Sequence, residues 1–256
     1  MRTEERMNEK TKFTVILKDK MIREPIGKNK IFLTGFHGIG AVGYLTTRYI
    51  ADQSDSKHIG YILLDRLPLV VKMGDSRIQL PFELYKRKNF IVMVTESPPE
   101  PREMHLLTRG IAEWVITQGF KEAVLIGGLS DKYRSDNDDE YRVAYTSAYA
   151  STKKIFGKPM DARLTIFGPL ASLLSYFELN EFPAITILPY ARQFEPDTRA
   201  TMIALNILNE YYDAEINIES IRKEVEEIEA RIEASMKESE QKALDEKSRE
   251  KFMFYM

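Results

Sequence analysis

Ile31-Phe32-Leu33-Thr34-Gly35-Phe36-His37-Gly38-Ile39-Gly40-Ala41-Val42-Gly43 is the stretch on which the fold turns. Its first five residues read as a short buried strand that stops at glycine. A helical pattern follows over about 40–52, and Ile-Gly-Tyr-Ile-Leu-Leu-Asp at 59–65 reads as a second buried strand. Strand, glycine turn, helix and strand make a βαβ unit. Gly38-x-Gly40-x-x-Gly43 also has the spacing of a dinucleotide fingerprint, with Asp65 near the place of a ribose-binding acid. In that reading the backbone N–H groups at the helix N-terminus would hold a pyrophosphate. In the other, Gly35, Gly38, Gly40 and Gly43 form a structural turn that lets the helix pack closely on the sheet. The residues alone leave both open.

Working outward, residues 13–18 read as a strand, and Pro25, Gly27 and Asn29 mark a turn before the central stretch. After it, residues 69–73 and 77–80 flank Gly74-Asp75-Ser76 as a hairpin, and 90–95 is an apolar strand. A helix is predicted over 102–118, a buried strand over 123–129 ending in Gly127-Gly128, and a strand over 141–146. Gly168-Pro169 opens a helix to about Asn180; 184–188 is a strand and 196–212 a helix with Asp197 in its first turn, where a negative charge suits the helix dipole. Strands that alternate with helices and are mostly apolar on both faces predict a three-layer α/β/α domain over 13–213, after a flexible N-terminus at 1–12.

Beyond it the pattern changes. Ile218, Ile221, Val225, Ile228 and Ile232 recur at spacings of 3, 4, 3 and 4, an a/d heptad seam in a run of Glu, Lys and Arg. This predicts a charged, coiled-coil-like helix over 217–250, pairing with another helix or lying on its own domain. The chain closes on Lys251-Phe252-Met253-Phe254-Tyr255-Met256, expected to be a flexible tail. An aromatic cluster beyond a solvated run marks a contact site or a fold-back.

The totals exclude several classes. A chain of 256 residues with net charge −2 has no basic field for nucleic acid. It has no cysteine, hence no disulfide framework, thiolate metal site or cysteine nucleophile, which fits a reducing cytoplasm. No apolar run reaches the roughly 18 residues of a membrane span. Heavy use of Glu and Lys without Cys is a composition seen in thermophiles. His37, His58 and His105 show no metal-ligand spacing, the acidic run at 136–140 lacks the EF-hand pattern, and Ser130 stands outside any Gly-x-Ser-x-Gly elbow. A Walker-type phosphate loop is absent, so nothing points to ATP.

Read together, the motifs resemble a known family. The run at 33–43, Val124-Leu125-Ile126-Gly127-Gly128, Gly168-Pro169-Leu170-Ala171-Ser172-Leu173-Leu174 and Glu195-Pro196-Asp197-Thr198-Arg199-Ala200 resemble, in the same order, motifs of the proteasome assembly chaperone family, second-subunit type, over about 12–220. His37 stands where proline is usual, and the second glycine of the third motif is missing. The resemblance implies an α/β/α sandwich related to nucleoside phosphorylases without their catalytic set, no cofactor, and a structural role for the glycine turn. It implies the α subunits of the 20S proteasome as partners. Phe254-Tyr255-Met256 resembles the hydrophobic–Tyr–any tail that docks between α subunits in proteasome activators and assembly chaperones. The expectation is a cytoplasmic, archaeal-type, non-enzymatic homo-oligomer, a tetramer if the helical arms pair two by two, that helps assemble the α ring or engages the finished particle.

Overall fold

The computed structural model describes residues 13–18, 25–74, 77–135 and 139–223. The N-terminus at 1–12, Val225, Ile228 and Ile232 of the heptad seam, and Phe254-Tyr255-Met256 lie outside the described residues. The first compact unit ends at Ile216 and the second starts at Asn217.

The first unit carries strands β1 (Phe13–Leu17), β2 (Ile31–Gly35), β3 (Lys57–Leu64), β4 (Lys72–Met73), β5 (Ile78–Gln79), β6 (Phe82–Arg87), β7 (Phe90–Thr95), β8 (Glu122–Ile126), β9 (Leu129–Ser130), β10 (Tyr141–Tyr145) and β11 (Ala184–Ala191). Its α-helices are α1 (Val42–Ala51), α2 (Met104–Thr117), α3 (Ser147–Thr152), α4 (Pro169–Leu179) and α5 (Thr198–Tyr212). The main sheet runs β1-β3-β6-β7-β2-β8-β11-β10, and β9 extends the pairing of β11. Its centre, β7-β2-β8-β11, is parallel; β1, β3, β6 and β10 join by antiparallel pairs.

The core follows the pleat. Phe32, Ile91, Met93, Ala123 and Leu125 share one apolar cluster with Leu107, Ile111 and Val115 of α2 and Leu173 and Phe177 of α4. The alternate residues Leu33, Val92, Val124 and Ile126 are also buried but stand outside that cluster. Helix α1 packs on α5 and on β2 and β7, and α5 packs on β11. Strands covered on both faces read as continuous apolar runs, as Ala123-Val124-Leu125-Ile126 does.

Several expectations change. The βαβ unit is not local: β2 and β3 run the same way, but β6 and β7 lie between them. Strand β6, Phe-Glu-Leu-Tyr-Lys-Arg, has no simple apolar alternation, because Glu83 is buried with partners on and just before the strand and Arg87 with partners from distant segments. Asp197 is the cap of α5 rather than part of its first turn; its carboxylate accepts from the Ala200 N–H at 3.0 Å. The last strand runs on through Pro189 to Ala191. The Arg87 guanidinium donates to the Ala214 and Glu215 carbonyls, and the Asn209 side chain bonds both backbone groups of Ile216, so 214–216 belong to the first unit. In the second unit the backbone is helical over 219–223, the Arg222 N–H donating to the Ile218 carbonyl at 2.9 Å. Ile218 and Ile221 are the two seam positions within the described residues.

Candidate functional site

The glycine turn is built for close packing. A Cβ on Gly35 would lie 2.5 Å from the Gly43 Cα, and one on Gly43 would lie 2.4 Å from the Ile126 carbonyl oxygen. Gly40 has φ +61°, a conformation glycine adopts without strain, and a Cβ there would lie 2.7 Å from that of Ala191. Its carbonyl accepts from the Asp197 N–H at 2.9 Å, tying the start of α1 to the start of α5. Around Gly38 nothing lies within 4 Å of an added Cβ. The room that the second glycine of a dinucleotide fingerprint leaves for a pyrophosphate is taken here at Gly40 by Ala191 and Asp197. Asp65 follows β3, which is separated from β2 by two strands, and not the neighbouring strand that a ribose-binding acid would follow.

Beside the turn a polar network crosses the top of α1 to the β4–β5 hairpin. The His37 ring stacks on Tyr44 with centroids 4.2 Å apart. Tyr44 donates to Glu96 at 3.1 Å, and Arg48 donates to the other Glu96 oxygen at 2.6 Å. The Lys72 ammonium reaches Tyr44 Oη at 3.4 Å and Glu96 at 3.8 Å. Arg48 also bonds Asp52, and its guanidinium sits 5.1 Å over the Tyr85 ring. Burial, and then the nearby Glu96 charge, raise the Tyr44 hydroxyl above its ordinary pKa. Burial lowers that of His37 against the pull of Glu96.

Next to it Arg77 grips Glu83 with two hydrogen bonds, 2.7 and 2.8 Å, and Tyr85 donates to the same carboxylate at 2.7 Å. The Leu80 N–H adds a fourth at 2.9 Å. Burial alone would raise the Glu83 pKa, but these donors outweigh it and hold the carboxyl below its ordinary 4.5. His58 lies 3.9 Å from Glu83, packed against Tyr61 and Tyr85, and neither ring nitrogen has a hydrogen-bond partner. Burial, opposed by Glu83, lowers the His58 imidazole to about 4. Both groups bind fewer protons folded than unfolded, so stability falls with acid. The contribution of His58 is full above about pH 6.5 and lost toward pH 4; that of Glu83 is lost as pH drops below 4.5. Urea midpoints measured from pH 7 to 4 are expected to decline, and His58→Phe to flatten the decline above pH 4.5.

This network locks the base of the hairpin and leaves its apolar residues outside. Leu69 is 100 % exposed and Met73 73 %, with Val70, Val71 and Ile78 each more than half exposed. A run of exposed apolar residues in water is the chemistry of a macromolecular contact. The hairpin was readable in the sequence; its exposure was not, since Leu69-Val70-Val71 looks like core. His105 and Ser130 join neither network, and the described residues hold no cluster of three or more His, Asp or Glu able to bind a metal. None of the described helices is long and apolar enough to cross a membrane.

Comparison with known proteins shows a shared fold and a family. An uncharacterized protein of Methanocaldococcus jannaschii is 24% identical over 230 residues, spanning 90% of this chain and 94% of its own. The fold is shared with crystal structures of Pyrococcus furiosus PbaA, described as an archaeal homolog of proteasome-assembly chaperone (TM-score 0.71, 20% identity, 94% of this chain and 99% of that one). It is also shared with PbaB of the same organism, described as an archaeal proteasome activator (TM-score 0.66, 19% identity, 86% and 98%). A model of the PAC2 family matches residues 32–236, most of both the sheet and its helices, and the chain belongs to the PAC2 family.

Proposed function

We propose that this protein is a non-enzymatic, ATP-independent assembly chaperone or activator of an archaeal-type 20S proteasome, acting in the cytoplasm on the α subunits. The family match, joined to a fold shared with both an assembly-chaperone homolog and a proteasome activator, carries the reading. The α/β/α sandwich serves as a scaffold: its glycine turn is closed by packing, and its exposed hairpin is a surface for protein contact. The heptad seam Ile218, Ile221, Val225, Ile228 and Ile232 extends as an arm that pairs between chains, giving a tetramer. Phe254-Tyr255-Met256 at its end docks between α subunits.

Size-exclusion chromatography of the full chain with recombinant α subunits, and with intact 20S particles, tests the reading. Co-elution without nucleotide is expected with at least one of them; migration apart from both, at micromolar concentration, would sink it. Replacing hairpin residues separates body from tail. Leu69→Asp with Met73→Asp should change unfolding free energy by no more than about 0.5 kcal/mol, since exposed positions carry little stability. A drop in co-elution with that variant would place part of the contact on the hairpin.

A further inference from the structure

The far edge of the sheet carries a second message. Strand β1, Phe13-Thr14-Val15-Ile16-Leu17, is paired among the described residues on one side only, to β3, and contains neither a charge nor a proline. Natural edges are normally guarded by such residues, by a bulge or by a cover. Here lysines stand only at the two flanks, positions 12 and 18.

The register shows which backbone groups are free. Lys18 donates to the Ile59 carbonyl at 2.8 Å, which makes 18 and 59 a hydrogen-bonded pair in the frame Phe13↔Leu64. Antiparallel pairs alternate, so Thr14 and Ile16 also bond β3, while Phe13, Val15 and Leu17 turn their N–H and C=O groups outward. These outward groups have no partner among the described residues. The three positions are symmetric about Val15. An identical strand, laid antiparallel, sets Val15 against Val15 and each Phe13 against the other copy's Leu17, with every outward donor meeting an outward acceptor.

The side chains agree. Phe13, Val15 and Leu17 are half-buried on the face covered by α2, where a Cβ on Gly110 would lie 2.3 Å from the Phe13 ring. With Gly110, Glu113 and Trp114 they line an open groove of about 520 Å³ along the edge. In an antiparallel pair, opposed residues share a face. The partner's Leu17, Val15 and Phe13 would therefore lie along this groove, with the two Trp114 rings on the same side.

We propose that β1 is a self-pairing edge: two copies join β1 to β1 about a two-fold axis at Val15, making one sheet continuous through both. A second copy is favoured over another partner because the free hydrogen-bonding frame and its apolar residues are self-complementary. This contact specifies one interface of the homo-oligomer proposed above and depends neither on the tail nor on the proteasome.

Disulfide trapping in the otherwise cysteine-free full chain tests it. Opposed residues of a hydrogen-bonded antiparallel pair stand about 5.5 Å apart at Cα, within disulfide reach, whereas Ile16 is displaced by two positions from its own copy. Under a mild thiol oxidant Val15→Cys should form about tenfold more covalent dimer than Ile16→Cys. Val15→Pro removes an outward N–H that β3 does not use, as edge strands tolerate; it should keep the secondary structure and lower the mass in solution. Equal trapping at both positions, or a monomeric full-length chain, overturns the proposal. An oligomer that survives Val15→Pro with no trapping at 15 overturns this contact while leaving self-association standing.

Discussion

Deleting Phe254-Tyr255-Met256 is expected to reduce capture of 20S particles by 10²–10⁴-fold, about the avidity that several weak tails on one oligomer supply together. In the proposed docking a single tail supplies little: Phe254 for an apolar slot and the ring and hydroxyl of Tyr255. One such set binds weakly. Several, presented at the spacing of a ring of subunits, convert later docking events into intramolecular ones. Surface plasmon resonance on immobilised 20S particles, with the full chain and with a chain ending at Met253, measures the effect. Tyr255→Ala is expected to lose a large share of the same binding without changing oligomer mass. Unchanged binding by the shortened chain would remove the tail from the mechanism and move the contact to the α/β body, with the exposed Leu69–Met73 surface next in line.

The second large effect lies in the turn. Gly43→Ala is expected to destabilise the domain by roughly 3 kcal/mol or more, at the upper end of overpacking costs. Its Cβ would lie 2.4 Å from the Ile126 carbonyl oxygen and 2.7 Å from the Phe36 nitrogen, both backbone atoms that cannot rotate away. The helix α1 would have to lift off β2 and β8, and with it the Arg48–Glu96 bond that holds the hairpin side of the molecule. Gly38→Ala is the control. Its φ of −155° lies outside the left-handed region and nothing lies within 4 Å of the new methyl, so a loss of no more than about 1 kcal/mol is expected. Urea unfolding followed by circular dichroism measures both. Equal stability of the two variants would refute the close packing of α1 on the sheet.

The Gly38/Gly43 contrast also marks the limit of motif reading. In the sequence the glycines of the fingerprint are equivalent; in the fold Gly40 and Gly43 are pressed against protein while Gly38 is open. The same holds for β6. Glu83 and Arg87 make Phe-Glu-Leu-Tyr-Lys-Arg a poor strand by pattern, yet Arg77 and Tyr85 satisfy the first, and Asp55 with the 214–215 carbonyls satisfies the second. The Arg87 partners lie 32 to 128 residues away in the chain, so no local window contains them.

What the sequence determined by itself was periodic and local. The alternation of strands with helices, the close turn after β2 and the start of a helix beside Asp197 each rest on neighbours within a few residues, where backbone geometry and hydrophobic spacing act directly. The tertiary structure decided what depends on distant pairing: the two strands between β2 and β3, the exposure of Leu69 and Met73, and the place of β1 at the end of the strand order. An apolar run looks the same in sequence whether it is buried or displayed. Only the order of strands in the sheet, set by contacts far apart in the chain, assigns it to the core or to the surface.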